Sequence, residues 1–250
     1  MNIENAIKKF KEYTDNYKDI SERCILKIDH TFRVMNLCEK IATSLNLTEE
    51  EIYLSQLCGL LHDIGRFEQW KNYETFNDIK SIDHGDLGYE ILKKNIKDYC
   101  TEEKYYNIIL NSVKYHNKFD IPNNLTDKEK LFLKITRDAD KIDILYLYTI
   151  NKTFIDTNNE SFSDNIYNTL INHKSIMSKM KETKADTLSV SFGFIFDINF
   201  IKSYEIIRDN KYYDKMVEIY KNNTTNNKFK EQLEDVNNNI CEYIKEKVKC

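Results

Sequence analysis

Apolar residues recur along almost the whole chain at intervals of three and four, with charged and amide side chains between them. That spacing puts them on one face of a 3.6-residue helix and predicts helices over 2–19, 22–45, 49–63, 84–97, 102–117, 127–152, 162–182, 197–209, 211–221 and 229–247. Two starts carry capping boxes, Thr48 with Glu51 and Thr126 with Glu129, in which hydroxyl and carboxylate satisfy each other's free backbone amides. The polar breaks at 157–164 and 221–228 read as loops between helices, and no internal repeat is present. Only the stretch 188–196, rich in β-formers around Gly193, sets strand against helix, and helix is favoured there. Residues 66–83 read as a loop long enough for a lid or binding segment. Its Phe67, Trp70, Tyr73 and Phe76 serve either to anchor it or to stack on a nucleobase.

Composition narrows the class. The 250 residues include 5 Gly and 1 Pro, where average usage gives about 18 and about 13. A β-sandwich or propeller needs more punctuation than that, and no glycine-rich phosphate-binding string is present. The expectation is an all-α bundle in a single domain over 1–250. The 37 basic and 41 acidic residues are interspersed and leave a net charge of -4, which provides no footprint for duplex nucleic acid or an anionic membrane. With no run of 18 apolar residues and no apolar signal core, the chain reads as cytoplasmic. Cys24, Cys38, Cys58, Cys100, Cys241 and Cys250 lack paired metal-binding spacing and read as reduced thiols, Cys58 as core packing.

The chemistry concentrates in the histidines. Four of the five lie in one window, at His30, His62, His84 and His116. A lone histidine on an apolar helix face is ordinarily a core residue, but here His30, His84 and His116 each belong to an apolar stripe, and Asp140 sits in a fourth, with Leu133, Ile144 and Leu147. Buried carboxylates at Asp63 and Asp140 need a cation, from Arg137, Lys141 or a metal ion. The His62–Asp63 pair ends an apolar helix, and as neighbours the two diverge, so Asp63 with its two oxygens can reach one ion beside His62 and another beyond.

The order His30, His62–Asp63, His84, His116, Asp140, within LLHDIGRF (60–67), DHGDLGYEIL (83–92), KYHNKFDIP (114–122) and RDADKID (137–143), resembles the HD superfamily of metal-dependent phosphohydrolases in its two-metal form. The resemblance covers about residues 22–150 and implies an HD-type helical core there, with a helical extension over 155–250. It implies that His30, His62, Asp63 and Asp140 hold one ion, and that His84 and His116 hold a second with Asp63 bridging. Asn117 stands where the HD-GYP phosphodiesterases have a second consecutive histidine, and Arg66 where they carry lysine. Arg66 keeps the charge and offers a planar fork for phosphate.

The expected activity is hydrolysis of a phosphate mono- or diester, of a nucleotide or related small molecule. Two divalent transition-metal ions (Mn, Fe, Ni or Co) about 3.5–4 Å apart would supply a metal-bridged hydroxide. Asp63 and Arg66 are the catalytic candidates; Arg66, Lys114 and Lys141, with Lys118 nearby, are candidates for phosphate contact. Asp78 and Asp83 read as helix caps, and Asp143 as a surface ion-pair partner or a support for the ligands. Similar ligand sets also serve di-iron oxygenases, and a non-catalytic sensing or partner-binding module is the third reading. The oligomeric state is not legible.

Overall fold

The computed structural model describes residues 3–17, 21–150 and 152–249, Ser178 by its backbone alone. The two ends expected for the first helix, residues 2 and 19, lie outside the described residues, as does Cys250. Among the described residues there is no strand, and no helix is long and apolar enough to cross a membrane. The all-α expectation holds, with 188–196 included: helix and 3-10 turn run there without a break.

The chain divides into two compact units, 1–140 and 141–250. The boundary falls inside one long helix, whereas the sequence reading set core and extension apart near 150–155.

The first unit holds α1 (Ile3–Thr14), α2 (Glu22–Ser44), α3 (Glu49–Leu61), α4 (Gly65–Tyr73), α5 (His84–Asn95), α6 (Tyr106–Tyr115) and the first part of α7 (Asp127–Thr149). Its centre is α3, the most apolar of these helices, with Leu54, Leu57, Cys58, Leu60 and Leu61 fully buried. α2, α1 and α6 pack around it. Both capping boxes form: Glu51 N–H donates to Thr48 Oγ1 at 3.3 Å, and Glu129 N–H to Thr126 Oγ1 at 3.2 Å. Cys58 lies in the core as expected, where burial pushes its thiol up to about 12.

The expected loop over 66–83 is helical in its first half. Phe67 turns inward against Phe10, Tyr13 and Tyr17, with ring centroids 5.9, 6.1 and 5.8 Å away, and that burial carries the helix on from Gly65. Glu74 ends it in the left-handed region, at φ 52°, its N–H bonded to Trp70 O. Only 74–83 remains irregular, apart from the 3-10 turn Asp78–Lys80. Trp70 pairs with Phe76 at 4.9 Å, so of the four aromatics only Tyr73 is exposed.

α4 and α5 meet across glycines. A Cβ on Gly65 would lie 2.3 Å from His84 O and 2.6 Å from Gly88 N, both backbone atoms that cannot swing aside. Gly65→Ala is expected to push α5 away and lower stability by about 1–3 kcal/mol. Urea unfolding checks this, and an unchanged midpoint would mean that the two helices do not depend on this approach.

The second unit contains α8 (Asp164–Ile171), α9 (Asp186–Gly193), α10 (Ile201–Asp209), α11 (Tyr212–Asn222) and α12 (Asn227–Lys249), following the end of α7. α12 buries Phe229, Leu233, Val236, Ile240 and Ile244 along one stripe, and α8, α10 and α11 pack against it. The helix expected over 162–182 stops at Ile171. His173 takes a left-handed φ of 56°, and its ring lies against Phe196 and Tyr243 at 5.3 and 4.8 Å. That ring contact is tertiary, and helical periodicity does not register it.

Candidate metal centre

Five elements of the first unit bring six side chains together. His30 lies in the middle of α2. α3 ends at Leu61, and His62 and Asp63 occupy the turn that follows, whose backbone is fixed by Arg66 N–H donating to Asp63 O at 2.9 Å. His84 opens α5, His116 caps the C-terminus of α6, and Asp140 sits on α7. All but Asp140 are buried, and its side chain is 17% exposed.

Asp63 stands at the centre and divides the group. Its Oδ2 is 3.5 Å from His30 Nε2 and 3.4 Å from His62 Nε2, while Oδ1 is 3.3 Å from His84 Nε2 and 3.6 Å from His116 Nε2. Asp140 Oδ1 joins the first side, 3.1 Å from His30 Nε2 and 3.7 Å from His62 Nε2. Ligand-type atoms of His30, His62 and Asp140 lie within 4.8 Å of one another, as do those of His62, Asp63 and His116.

The hydrogen bonds behind the rings set which nitrogen faces inward. His62 Nδ1 lies 2.7 Å from Gly59 O and His116 Nδ1 2.8 Å from Val113 O, both one helical turn back, and His84 Nδ1 lies 2.7 Å from Asp78 Oδ2. Each acceptor is an oxygen, so each Nδ1 donates a hydrogen and Nε2 is the nitrogen that faces inward. His84 and His116 Nε2 are 3.0 Å apart, and His30 and His62 Nε2 3.3 Å. With Nδ1 of both rings donating, the inward nitrogens of His84 and His116 would oppose lone pair to lone pair, an arrangement that a shared cation relieves. Two carboxylates and a nitrogen-rich donor set therefore fit divalent transition ions.

The electrostatics agree. Burial disfavours a charged His62, yet the carboxylates of Asp63 and Asp140 outweigh it and hold the imidazole up at about 10. Burial likewise works against charge on Asp63, but Lys27 and His62 keep its carboxyl well below the usual range. His84 is pushed down to about 4 by burial and by the Arg66 charge, against the pull of Asp78. Cationic charge on the first side and a neutral ring on the second are what the pocket favours.

The candidates for phosphate contact are placed as follows. Arg66 Nη1 donates to Gln69 Oε1 at 2.9 Å, Phe76 O at 2.6 Å and Asp78 Oδ1 at 2.9 Å, and its Nε lies 3.6 Å from Asp63 Oδ1. Lys114 Nζ sits over the rings of Tyr89 and Tyr115, at 4.7 and 5.5 Å. Lys118 pairs with Asp83 and Asp86 at 2.6 and 2.9 Å. Lys141, in the second unit, pairs with Asp197. Arg137, a possible counterion for Asp140 in the sequence, donates to the carbonyls of Tyr115, His116, Lys118 and Phe119 and so pins the turn behind His116.

Asp78, expected as a cap, is not one: Asn77 caps the 3-10 turn, its Oδ1 accepting from Ile79 and Lys80 N–H. The Asp78 carboxylate receives His84 Nδ1–H, Arg66, the Gln69 amide at 2.9 Å and the Asn117 amide at 3.3 Å. Gln69, fully buried, also donates to Ser81 Oγ and Ile82 O and ties the 78–82 segment to α4. Asp83 caps α5 through Asp86 N–H, as expected, and accepts from Asn117 as well. Asp143, expected on the surface or behind the ligands, is buried in the second unit. Lys27, which the sequence reading passed over, donates to Asp63 Oδ2 at 2.6 Å. It stands three residues before His30 on one helical face, and that spacing was the available signal.

Among family models, that of the HD domain matches residues 28–145, a span containing all six ligand-type side chains. No curated protein and no solved structure matches the chain.

Proposed function

Residues 28–145 are an HD domain, and on that premise we propose that the protein is a metal-dependent phosphohydrolase acting on a small-molecule phosphate mono- or diester, of the nucleotide class. The observation that carries this reading is the split of Asp63, with one carboxylate oxygen toward His30 and His62 and the other toward His84 and His116. On it, His30, His62, Asp63 and Asp140 would hold one divalent ion, and His84 and His116 a second, with Asp63 shared. A bound pair of such ions supplies Lewis acidity toward phosphoryl oxygens and lowers the pKa of water for attack on phosphorus.

The protein's own groups prepare that chemistry. Gly59 O, Val113 O and Asp78 hold the imidazoles of His62, His116 and His84 with Nε2 inward. Arg137 fixes the backbone behind His116, and burial of the ligands excludes bulk water from around them. Arg66, at the rim of Asp63, keeps a guanidinium positioned by Asp78 and Gln69 close to where a phosphoryl group would sit. No protein nucleophile is needed.

The reading predicts turnover of a nucleotide or phosphodiester by the Mn(II)-loaded protein under argon, with oxygen from isotopically labelled water in the phosphate product. Activity that requires dioxygen and places its label in an organic product would identify a di-iron oxygenase instead. Metal binding without turnover across the panel would favour a sensing module.

A further inference from the structure

We infer that Lys27 is a further residue, besides Arg66, that grips the phosphoryl group, a role that rests on the hydrolase reading above. The other cations near the ligands are engaged in ways that fix the fold: Arg66 on Asp78, Gln69 and Phe76 O, Lys118 on Asp83 and Asp86, Arg137 on the carbonyls of 115–119. Lys27 is placed differently. Its ammonium touches a ligand carboxylate directly, at 2.6 Å from Asp63 Oδ2, and its side chain is 22% exposed where that of Asp63 is 3% exposed. It therefore lies where the buried ligand group meets solvent. Phe76 walls it on one side, its ring centroid 6.0 Å from Lys27 Nζ and 5.6 Å from Arg66 Cζ. An ammonium has three N–H donors, and the bond to Asp63 occupies one.

Charge balance says what the remaining donors meet. Lys27 is the counterion of Asp63. Two divalent ions bring four positive charges against the two carboxylates of Asp63 and Asp140, so with them in place Asp63 no longer needs Lys27 for neutrality. The ammonium then adds to an excess of positive charge at the mouth of the site, and an anion completes it. Phosphoryl oxygens, as strong acceptors with distributed negative charge, suit a mobile lysine of this kind.

Mn(II)-loaded wild type, Lys27→Met, Lys27→Gln and Lys27→Arg are to be titrated with inorganic phosphate by calorimetry, with bound metal counted in the same samples. Lys27→Met and Lys27→Gln should keep the wild-type ion count and bind phosphate about tenfold more weakly or worse, as loss of a charge-assisted hydrogen bond implies. Both should raise KM for the best phosphate ester more than they lower kcat, and Lys27→Arg should restore most of the phosphate affinity. Lys27→Gln retains a donor toward Asp63 and covers a failure of Lys27→Met to fold. Unchanged phosphate binding in Lys27→Gln at equal metal loading overturns the assignment and leaves the hydrolase reading standing. Phosphate loss that merely tracks lost metal also overturns it and makes Lys27 a structural counterion. If loaded wild type binds no phosphate, the hydrolase reading fails and this role fails with it.

Discussion

Asp63→Asn is expected to abolish paired metal binding and hydrolysis together while leaving the helical circular dichroism in place. The substitution keeps the shape of the side chain, but an amide offers one neutral oxygen where the carboxylate offers two charged ones. Those two oxygens face different histidine pairs, which is what places Asp63 to share ions between the two sides. Metal ions contribute several kcal/mol of transition-state stabilisation, which makes the loss of rate at least about a hundredfold. Lys27 also loses its charged partner, but its partial exposure lets it turn to water. Atomic absorption and a phosphate-release assay on the same preparation check the result. Retention of paired metal binding in Asp63→Asn would mean that the ions are held without a shared carboxylate.

Asp78→Asn should act on one side only. Burial opposes charge on Asp78, but the hydrogen bond from His84 and the charge of Arg66 hold its carboxyl well below the usual range, so at neutral pH it is a carboxylate accepting the Nδ1 proton of His84. An amide there is a poorer acceptor, and it can present its NH2 to the ring and favour the wrong tautomer. Loss of such a supporting partner typically costs about 10–100-fold in metal affinity. Competition with a chelator should show that loss for the ion assigned to His84 and His116, with the ion assigned to His30, His62 and Asp140 close to its wild-type affinity. Equal weakening of both would make Asp78 a support of the whole first unit through Arg66 and Gln69, not a specific orienter of His84.

The candidate ligand residues were legible in the sequence because each is carried by a strongly periodic helix or stands at its end. His30 and Asp140 fall within α2 and α7, and His84 and His116 stand at the ends of α5 and α6, where boundary errors of a few residues do not change which residue is meant. Local chemistry was equally readable at Thr48 and Thr126, since a capping box closes within one turn. What stayed hidden depends on contacts distant in sequence. Phe67 makes 65–73 helical by packing on Phe10 of α1. Asp78 joins His84 and Arg66 from an irregular segment with no period to reveal it. Lys27 drew no notice because only the fold brings it to Asp63, 36 residues away.

Metal stoichiometry tests the central claim most directly. Protein produced with ample Mn(II) and freed of loosely bound ions should hold close to two per chain, and His84→Ala and His116→Ala should each hold close to one, because the His30, His62 and Asp140 side stays intact. A wild-type value of one, unchanged in those two variants, would contradict a paired centre bridged by Asp63.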